Sequence, residues 1–286
     1  MKIVPVPEPI DLFHRACPHS IGCYLLDTDD GPALFDCGPS TTIDALKAGL
    51  AAEGMQLADV RHLLLSHIHL DHAGAAGVLV REHPGLQVHV SEIGAPHLVD
   101  PARLERSARR LYGESFDDLW GEITPVPEEN LHVVGDVVLG LDCFPTPGHA
   151  SHHVCYLDRD GTLYAGDAAG VRIQPGRYVM PPTPPPEFDL ETWQRTLDEI
   201  ERRGPDRLAL IHFGVADDPQ RHLADLRLEL YDWAEFVRGG ASEEEFVAYG
   251  RAELANSGEE VAIYDVAMPL WQSYRGLSRW AENQQG

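Results

Sequence analysis

The chain has 286 residues, 43% hydrophobic and 24% charged, the composition of a folded protein with a sizeable core and not of a disordered one. Its 22 lysines and arginines stand against 46 acids, a formal charge of −24, which makes duplex nucleic acid and anionic membranes poor partners. The predicted elements begin with two short strands, 21–26 and 33–35, separated by the turn-rich Thr28-Asp29-Asp30-Gly31-Pro32. Thr41 or Thr42 opens a helix with apolar positions at Ile43, Leu46 and Leu50, and Gly54 closes it. A buried strand over 60–65 runs into Ser66-His67, 73–82 is helical and stops before Pro84, and 86–90 is the next strand. Asp100 and Pro101 begin a helix through Leu104, Ala108 and Leu111.

From 131 to 164 the pattern is that of strands, over 131–134, 137–144, 154–157 and 163–164, with a hairpin turn at 158–161. The loop 180–186 is too proline-rich for helix or central strand and reads as a stiff extended segment. Asp189 caps a helix carrying Leu190, Trp193, Leu197 and Ile200, Gly204 ends it, and a strand over 207–211 delivers His212. Beyond it Leu223, Leu226, Leu230, Trp233 and Val237 repeat at helical spacing, and Ser242 with Glu245 makes a capping box. This order predicts two α/β halves packed sheet to sheet with helices outside. With no Gly/Ser linker between them, 1–286 is expected to be a single domain with 216–286 as a mainly helical extension.

The five cysteines form no CxxC pair, and a chain of this length does not depend on bridges, so reduced thiols in the cytoplasm are expected. The opening MKIVPVPEPIDLF has prolines and acids where a signal peptide has an apolar core. No apolar run approaches the roughly 20 residues of a membrane helix.

The uncommon count is histidine, at 15, and four potential ligands crowd into His67-Ile68-His69-Leu70-Asp71-His72. The hexapeptide lies between a predicted strand and a predicted helix, where loops present side chains into a common cleft. Neutral imidazoles with carboxylate suit Zn²⁺, Fe²⁺ or Mn²⁺, and without a cation such a crowd would be costly to desolvate. This HxHxDH segment resembles the signature of the metallo-β-lactamase-fold hydrolases. Thr146-Pro147-Gly148-His149 is similar to that family's TPGH turn, Ala165-Gly166-Asp167 to its GD motif and Ile211-His212 to its final ligand. Phe35-Asp36-Cys37-Gly38 is similar to the early turn whose Asp buttresses the metal loop.

The resemblance implies an αββα four-layer sandwich with a helical C-terminal extension. It also implies one metal on His67, His69 and His149, a second on Asp71, His72 and His212, and Asp167 as the bridge. Two divalent ions roughly 3.5–4 Å apart can share a carboxylate and a hydroxide. Zinc is the expected metal, with iron or manganese as alternatives because no Cys ligand selects among them. The implied activity is hydrolysis by a metal-bridging hydroxide, oriented by Asp71 and Asp167 as the catalytic residues, on an ester, thioester or lactone. Glyoxalase II-type thioesterases, acyl-homoserine-lactone lactonases and several phosphodiesterases share this ligand set, so phosphodiester or sulfate-ester hydrolysis is an alternative. A redox di-iron role is another, although the loop lacks the HxExD of the flavodiiron oxidoreductases. True metallo-β-lactamases carry Cys or Ser where Asp167 stands, which argues against antibiotic hydrolysis.

The partner expected is a small-molecule substrate, with a homo-oligomer possible and neither nucleic acid nor membrane involved. His153 is placed next to the ligands, His152 has no assigned task, and His14 and His19 are candidates to line the cleft. His62, His83, His89, His97, His132 and His222 read as ordinary surface or core residues. The proline loop and the helix over 223–237 are expected to shape the pocket, with Tyr178, Phe188 and Trp233 as its aromatic lining.

Overall fold

Short apolar runs bounded by turn residues pair here into two sheets whose inner faces meet. The computed structural model describes residues 8–284, so the first seven residues of the MKIVPVPEPIDLF segment lie outside the described residues. In the first sheet β1 (Ile10–Asp11), β2 (Gly22–Thr28) and β3 (Gly31–Phe35) run antiparallel. Three further strands, β4 (His62–Leu64), β5 (Gln87–Val90) and β6 (Leu131–Val133), add in parallel. Their crossovers are helical: α1 (Ile43–Ala52), then α2 (Leu70–Ala73) with α3 (Ala76–Glu82), then α4 (Ala95–Val99), α5 (Ala102–Tyr112) and α6 (Phe116–Trp120). The helix expected over 73–82 is α3, which starts three residues later, and a separate short turn of helix before it, α2, carries Asp71 and His72.

The second sheet comprises β7 (Val137–Val138), β8 (Leu141–Pro145), β9 (Val154–Leu157), β10 (Thr162–Tyr164), β11 (Arg207–Leu210) and β12 (Gly214–Ala216), ordered β12-β11-β10-β9-β8-β7. β10 and β11 are parallel, joined through α7 (Leu190–Arg203). The single strand expected over 137–144 is a hairpin instead. Leu139 and Gly140 take φ of 51° and 90°, and Val138 pairs with Leu141 across them. Gly140 adopts that conformation without the steric cost a side chain would bring, and it was the available signal for the turn. β12, three residues long, is too short for periodicity to mark. The chain ends in α8 (Pro219–Arg238), α9 (Glu243–Asn256), α10 (Val261–Ala267) and α11 (Leu270–Asn283).

Alternation along the second sheet decides the layers, because successive strand residues face opposite sides. Cys143, Tyr156, Tyr164 and Ala209 turn toward the first sheet, where Phe35 packs against Tyr156 and Tyr164 and Leu64 shares its face. Their neighbours Phe144, Cys155, Leu163 and Leu208 face outward and pack with Trp193 and Leu197 of α7, Leu226 and Trp233 of α8, and Leu277 of α11. Hydrogen bonds cross between the sheets: the Tyr24 hydroxyl donates to the Leu210 carbonyl at 2.9 Å and the Tyr156 hydroxyl to the Leu65 carbonyl at 3.0 Å. The result is a four-layer αββα sandwich. Asp189 caps α7 by accepting from the Thr192 amide at 2.8 Å, and Ser242 with Glu245 forms the capping box of α9.

Two features of the outer layers bear on the rest of the molecule. A Cβ on Gly276 would lie 1.9 Å from the Thr183 carbonyl oxygen, so glycine there lets α11 seat against the proline loop. Thr183 Oγ1 donates to the Ser273 carbonyl at 3.1 Å and fastens the same contact. On α8, burial pushes the Glu229 carboxyl up from 4.5 to about 7. A carboxyl whose pKa is raised on folding binds more protons in the native state, so stability is lost as pH rises from about 4.5 to 7. Glu229→Gln is therefore expected to raise Tm relative to wild type at pH 8 and to give no advantage at pH 4, which thermal melts at the two pH values check. Among the described residues no helix is long and apolar enough to cross a membrane.

Candidate metal centre

Strand ends deliver the clustered side chains. β4 leads into Ser66-His67, the β8–β9 connection carries His149 to His153, β10 leads to Asp167, and β11 leads to His212. Gly148 allows the β8–β9 connection its course: its φ is 132°, and a Cβ would meet the Trp193 backbone at 2.4 Å. At the end of β3, Asp36 takes φ of 57°, a left-handed conformation that Asp tolerates better than most residues. That turn aims its carboxylate at the base of the HxHxDH loop, where Oδ1 accepts from the Ser66 amide at 2.7 Å. Oδ2 accepts from Ser66 Oγ and from His72 Nδ1, each at 2.7 Å.

The seven residues singled out in the sequence come together as three overlapping groups: His67, His69 and His149; Asp71, His72 and His212; and His67, His72 and Asp167. Asp167 lies between the first two. Its Oδ2 is 3.3 Å from His149 Nε2, while its Oδ1 is 3.3 Å from His72 Nε2 and 3.7 Å from His212 Nε2. Asp71 Oδ2 lies 3.6 Å from His212 Nε2 and 3.8 Å from His72 Nε2. On the other side His69 Nδ1 is 2.9 Å from both His67 Nε2 and His149 Nε2.

The outward nitrogens explain what the inward ones can do. His149 Nδ1 donates to the Pro182 carbonyl at 2.8 Å and His212 Nδ1 to the Ser20 carbonyl at 2.6 Å. His72 Nδ1 donates to Asp36, and His67 Nδ1 to Ser66 Oγ at 2.9 Å, since that hydroxyl spends its own proton on Asp36. In a neutral ring the Nε2 then carries a lone pair, and all four lone pairs point at the cluster. His72 Nε2, His212 Nε2 and both Asp167 oxygens are buried without a hydrogen-bond partner. Converging lone pairs and unpartnered carboxylate oxygens are costly unless a cation sits among them. The donor set fits divalent metal.

The electrostatics agree. Burial, with neighbouring imidazoles, holds His67 well below its usual pKa and His69 at about 4, and burial also lowers His149, so these rings are neutral at pH 7. Burial opposes protonation of His72 and His212 as well, but Asp167 and Asp71 outweigh it and raise both. A field that favours protons on those rings also favours a divalent cation between them.

His153, placed only by resemblance, accepts the Asp167 amide on Nε2 at 3.2 Å, and its Nδ1 lies 2.7 Å from Thr146 Oγ1. It holds the loop that carries Asp167. A cavity of about 320 Å³ opens beside the cluster, lined by His69, Asp71, Tyr112, His152, Pro184–Pro186 and Gln272 among others. A second, of about 250 Å³, shares Asp71, Tyr112 and Gln272 and is lined also by His14 and Trp120. His14 stacks on Trp120 with 5.5 Å between ring centres, and His152 and His97 line the first cavity.

The expected aromatic lining is a correction. Trp233 is fully buried behind the second sheet, Phe188 packs against Trp193 and Trp280, and the Tyr178 hydroxyl donates to Glu229 at 3.0 Å away from the cluster. The proline loop does reach the cavity, but the helical wall is α5 with Met268 and Gln272, not α8. Reasoning from sequence missed Tyr112 and Gln272, which bond to each other at 3.2 Å from positions 160 residues apart. No local pattern marks such a pair.

A sequence-family model described as the metallo-beta-lactamase superfamily matches residues 18–212. The chain is 28% identical over 156 residues to an uncharacterized protein of Bacillus subtilis, covering 53% of this chain and 63% of that one. It is 28% identical to a probable metallo-hydrolase of Bacillus subtilis, covering 52% and 54% of the two. It is 27% identical to an N-acyl homoserine lactonase of a Bacillus species, covering 48% and 57%. The chain thus spans about half to two thirds of the length of these curated relatives. In three dimensions it is similar to a metallo-beta-lactamase family protein of Thermus thermophilus, with a TM-score of 0.69, 21% identity, and 98% and 93% of the two chains covered. The matched stretch takes in every residue of the cluster from Asp36 to His212, and the chain belongs to the metallo-beta-lactamase superfamily.

Proposed function

We propose that the protein is a dinuclear metal-dependent hydrolase acting on a carboxylic ester, thioester or lactone. The observation that carries this reading is the position of Asp167, whose two oxygens face the two opposite ligand groups. In this reading His67, His69 and His149 hold one ion, Asp71, His72 and His212 hold the other, and Asp167 spans both. Bound divalent metals supply Lewis-acid activation of water and of the substrate oxygen. The chain's own residues orient and move the proton. Asp167 is 1% exposed and fixed through its amide by His153, so it serves to position. Asp71 is 14% exposed and faces both cavities, so its carboxylate is the group placed to take a proton from water and pass it to the leaving group.

The relative that is an N-acyl homoserine lactonase supports carbonyl substrates, and the all-nitrogen-and-oxygen donor set supports zinc without excluding iron or manganese. The five cysteines are unpaired, which supports a cytoplasmic setting. The extension over 216–286 belongs to the same domain in this reading, because α8 and α11 share one apolar cluster with the second sheet.

Protein reconstituted with excess metal and run against thioesters, lactones, aryl esters and bis-aryl phosphates in parallel tests the proposal. Turnover of a carbonyl substrate and two metals per chain by elemental analysis are expected. No more than one metal, or turnover confined to the phosphodiesters, would sink it.

A further inference from the structure

Helix α5 is locally basic in a chain of net charge −24. Arg103, Arg106 and Arg110 occupy positions i, i+3 and i+7, which places them on one stripe of the helix. All three are exposed, and among the described residues none of them makes an ion pair. Arg109, between them in sequence, is by contrast paired to both Glu105 and Asp117. Like charges at i, i+3 and i, i+4 repel, so the stripe works against the helix that carries it. Arg15, Arg195, Arg207 and Arg279 also make no ion pair among the described residues, but they are scattered, whereas these three share one stripe of one helix.

Their place is informative. Arg103 lines the larger cavity together with His69 and Asp71, and Leu104, Ala108 and Leu111 of the same helix form its apolar wall. Arg103 thus stands on the cavity rim, Arg106 and Arg110 continue the stripe along the exposed side of the helix, and Tyr112 of its last turn lines both cavities together with Asp71. A helix rises about 1.5 Å per residue, so Arg103 stands roughly 13 Å along the axis from Tyr112. Charges on such a rim act over about 8–10 Å at ordinary salt, enough to reach a bound group though not to offset the net charge of the chain.

We propose that α5 is an anion-recognition element and that the substrate is an acyl compound carrying a carboxylate or phosphate remote from the scissile carbonyl. The apolar wall takes the spacer, and the arginine stripe takes the anion. The inference rests on the hydrolase reading for its scissile carbonyl, and the test separates the two.

Matched aryl esters would be compared in metal-loaded protein, each acyl chain ending in a methyl, a carboxylate or a phosphate. The expected result is a preference in kcat/KM of about tenfold or more for an anionic member over its neutral partner, falling as salt screens the stripe. The carboxylate and phosphate arms show which anion is taken. In the triple variant Arg103→Gln/Arg106→Gln/Arg110→Gln the preference should collapse toward one, and in the corresponding Arg→Lys triple it should be retained. All six substitutions are at exposed positions, where folding is little affected. Equal kcat/KM across each matched set, or a preference that survives the Gln triple, overturns the proposal.

If no ester is hydrolysed, the hydrolase reading fails and calorimetry decides this one. Suberate should bind more tightly than octanoate, and the excess should vanish in the Gln triple. Equal binding of the two, or an excess indifferent to the stripe, overturns it.

Discussion

Asp167→Ala is expected to lower turnover by at least ~10²-fold, the scale on which lost transition-state stabilisation is usually felt, and, in the dinuclear reading, to release or weaken one ion. The side chain faces His149 through Oδ2 and His72 and His212 through Oδ1, and neither oxygen has another hydrogen-bond partner. In the dinuclear reading, removing it would leave two divalent ions facing each other with one negative charge fewer between them. The loop itself should hold, because the Asp167 amide, not its carboxylate, bonds to His153. Loss of activity would then report the missing carboxylate and not a collapsed segment. Elemental analysis and kcat on the same sample check both parts. A variant that keeps both metals and a near-normal rate would remove Asp167 from the centre of the mechanism.

The second large effect is expected from Asp36→Ala, at a residue that lines neither of the two cavities beside the cluster. Its carboxylate is fully buried and accepts from the Ser66 amide, Ser66 Oγ and His72 Nδ1. Deletion leaves two donors, the Ser66 amide and His72 Nδ1, unsatisfied inside the protein, and each such group costs about 1–3 kcal/mol. A stability loss of about 3 kcal/mol or more follows, measurable by denaturant melts of the metal-free protein. His72 also loses the bond that aims its ring, so metal affinity should fall by about 10–100-fold. Asp36→Asn separates the two effects. It preserves an acceptor for the Ser66 amide but cannot hold a negative charge against His72, so most of the stability should return and less of the affinity. Equal recovery of both would mean that the charge of Asp36 is irrelevant to the site.

The two substitutions also mark how far reasoning from the chain could go. His67, His69, Asp71 and His72 lie within six residues, and the family resemblance they carry pointed to His149, Asp167 and His212 at other strand ends. Coordination chemistry accepts few side chains, so residues that can do it are conspicuous wherever they cluster. The order of strands and helices likewise predicted two sheets packed together with helices outside, and Asp189, Ser242 and Glu245 announced their helices because capping needs those side chains at those positions. The hairpin at Leu139-Gly140 was hidden because a lone glycine is a weak signal among six apolar neighbours.

The cavity walls were different. Trp233 and Phe188 looked as suitable for a lining as Met268 or Leu104, since a wall asks only for volume and polarity, which many residues share. Which of them meets the cluster depends on how α5 and α11 pack, and on contacts such as Gly276 against the Thr183 carbonyl that join segments 93 residues apart. Hence the sequence by itself, through its family resemblance, named the candidate ligands and the strand ends that carry most of them. Only the tertiary structure decided that Tyr112 and Gln272 line the same cavities as Asp71, that His153 steadies Asp167, and that Arg103 of an unpaired arginine stripe reaches the cavity rim. Ligand identity is a chemical requirement met one residue at a time, whereas the shape of a pocket is a property of the packed whole.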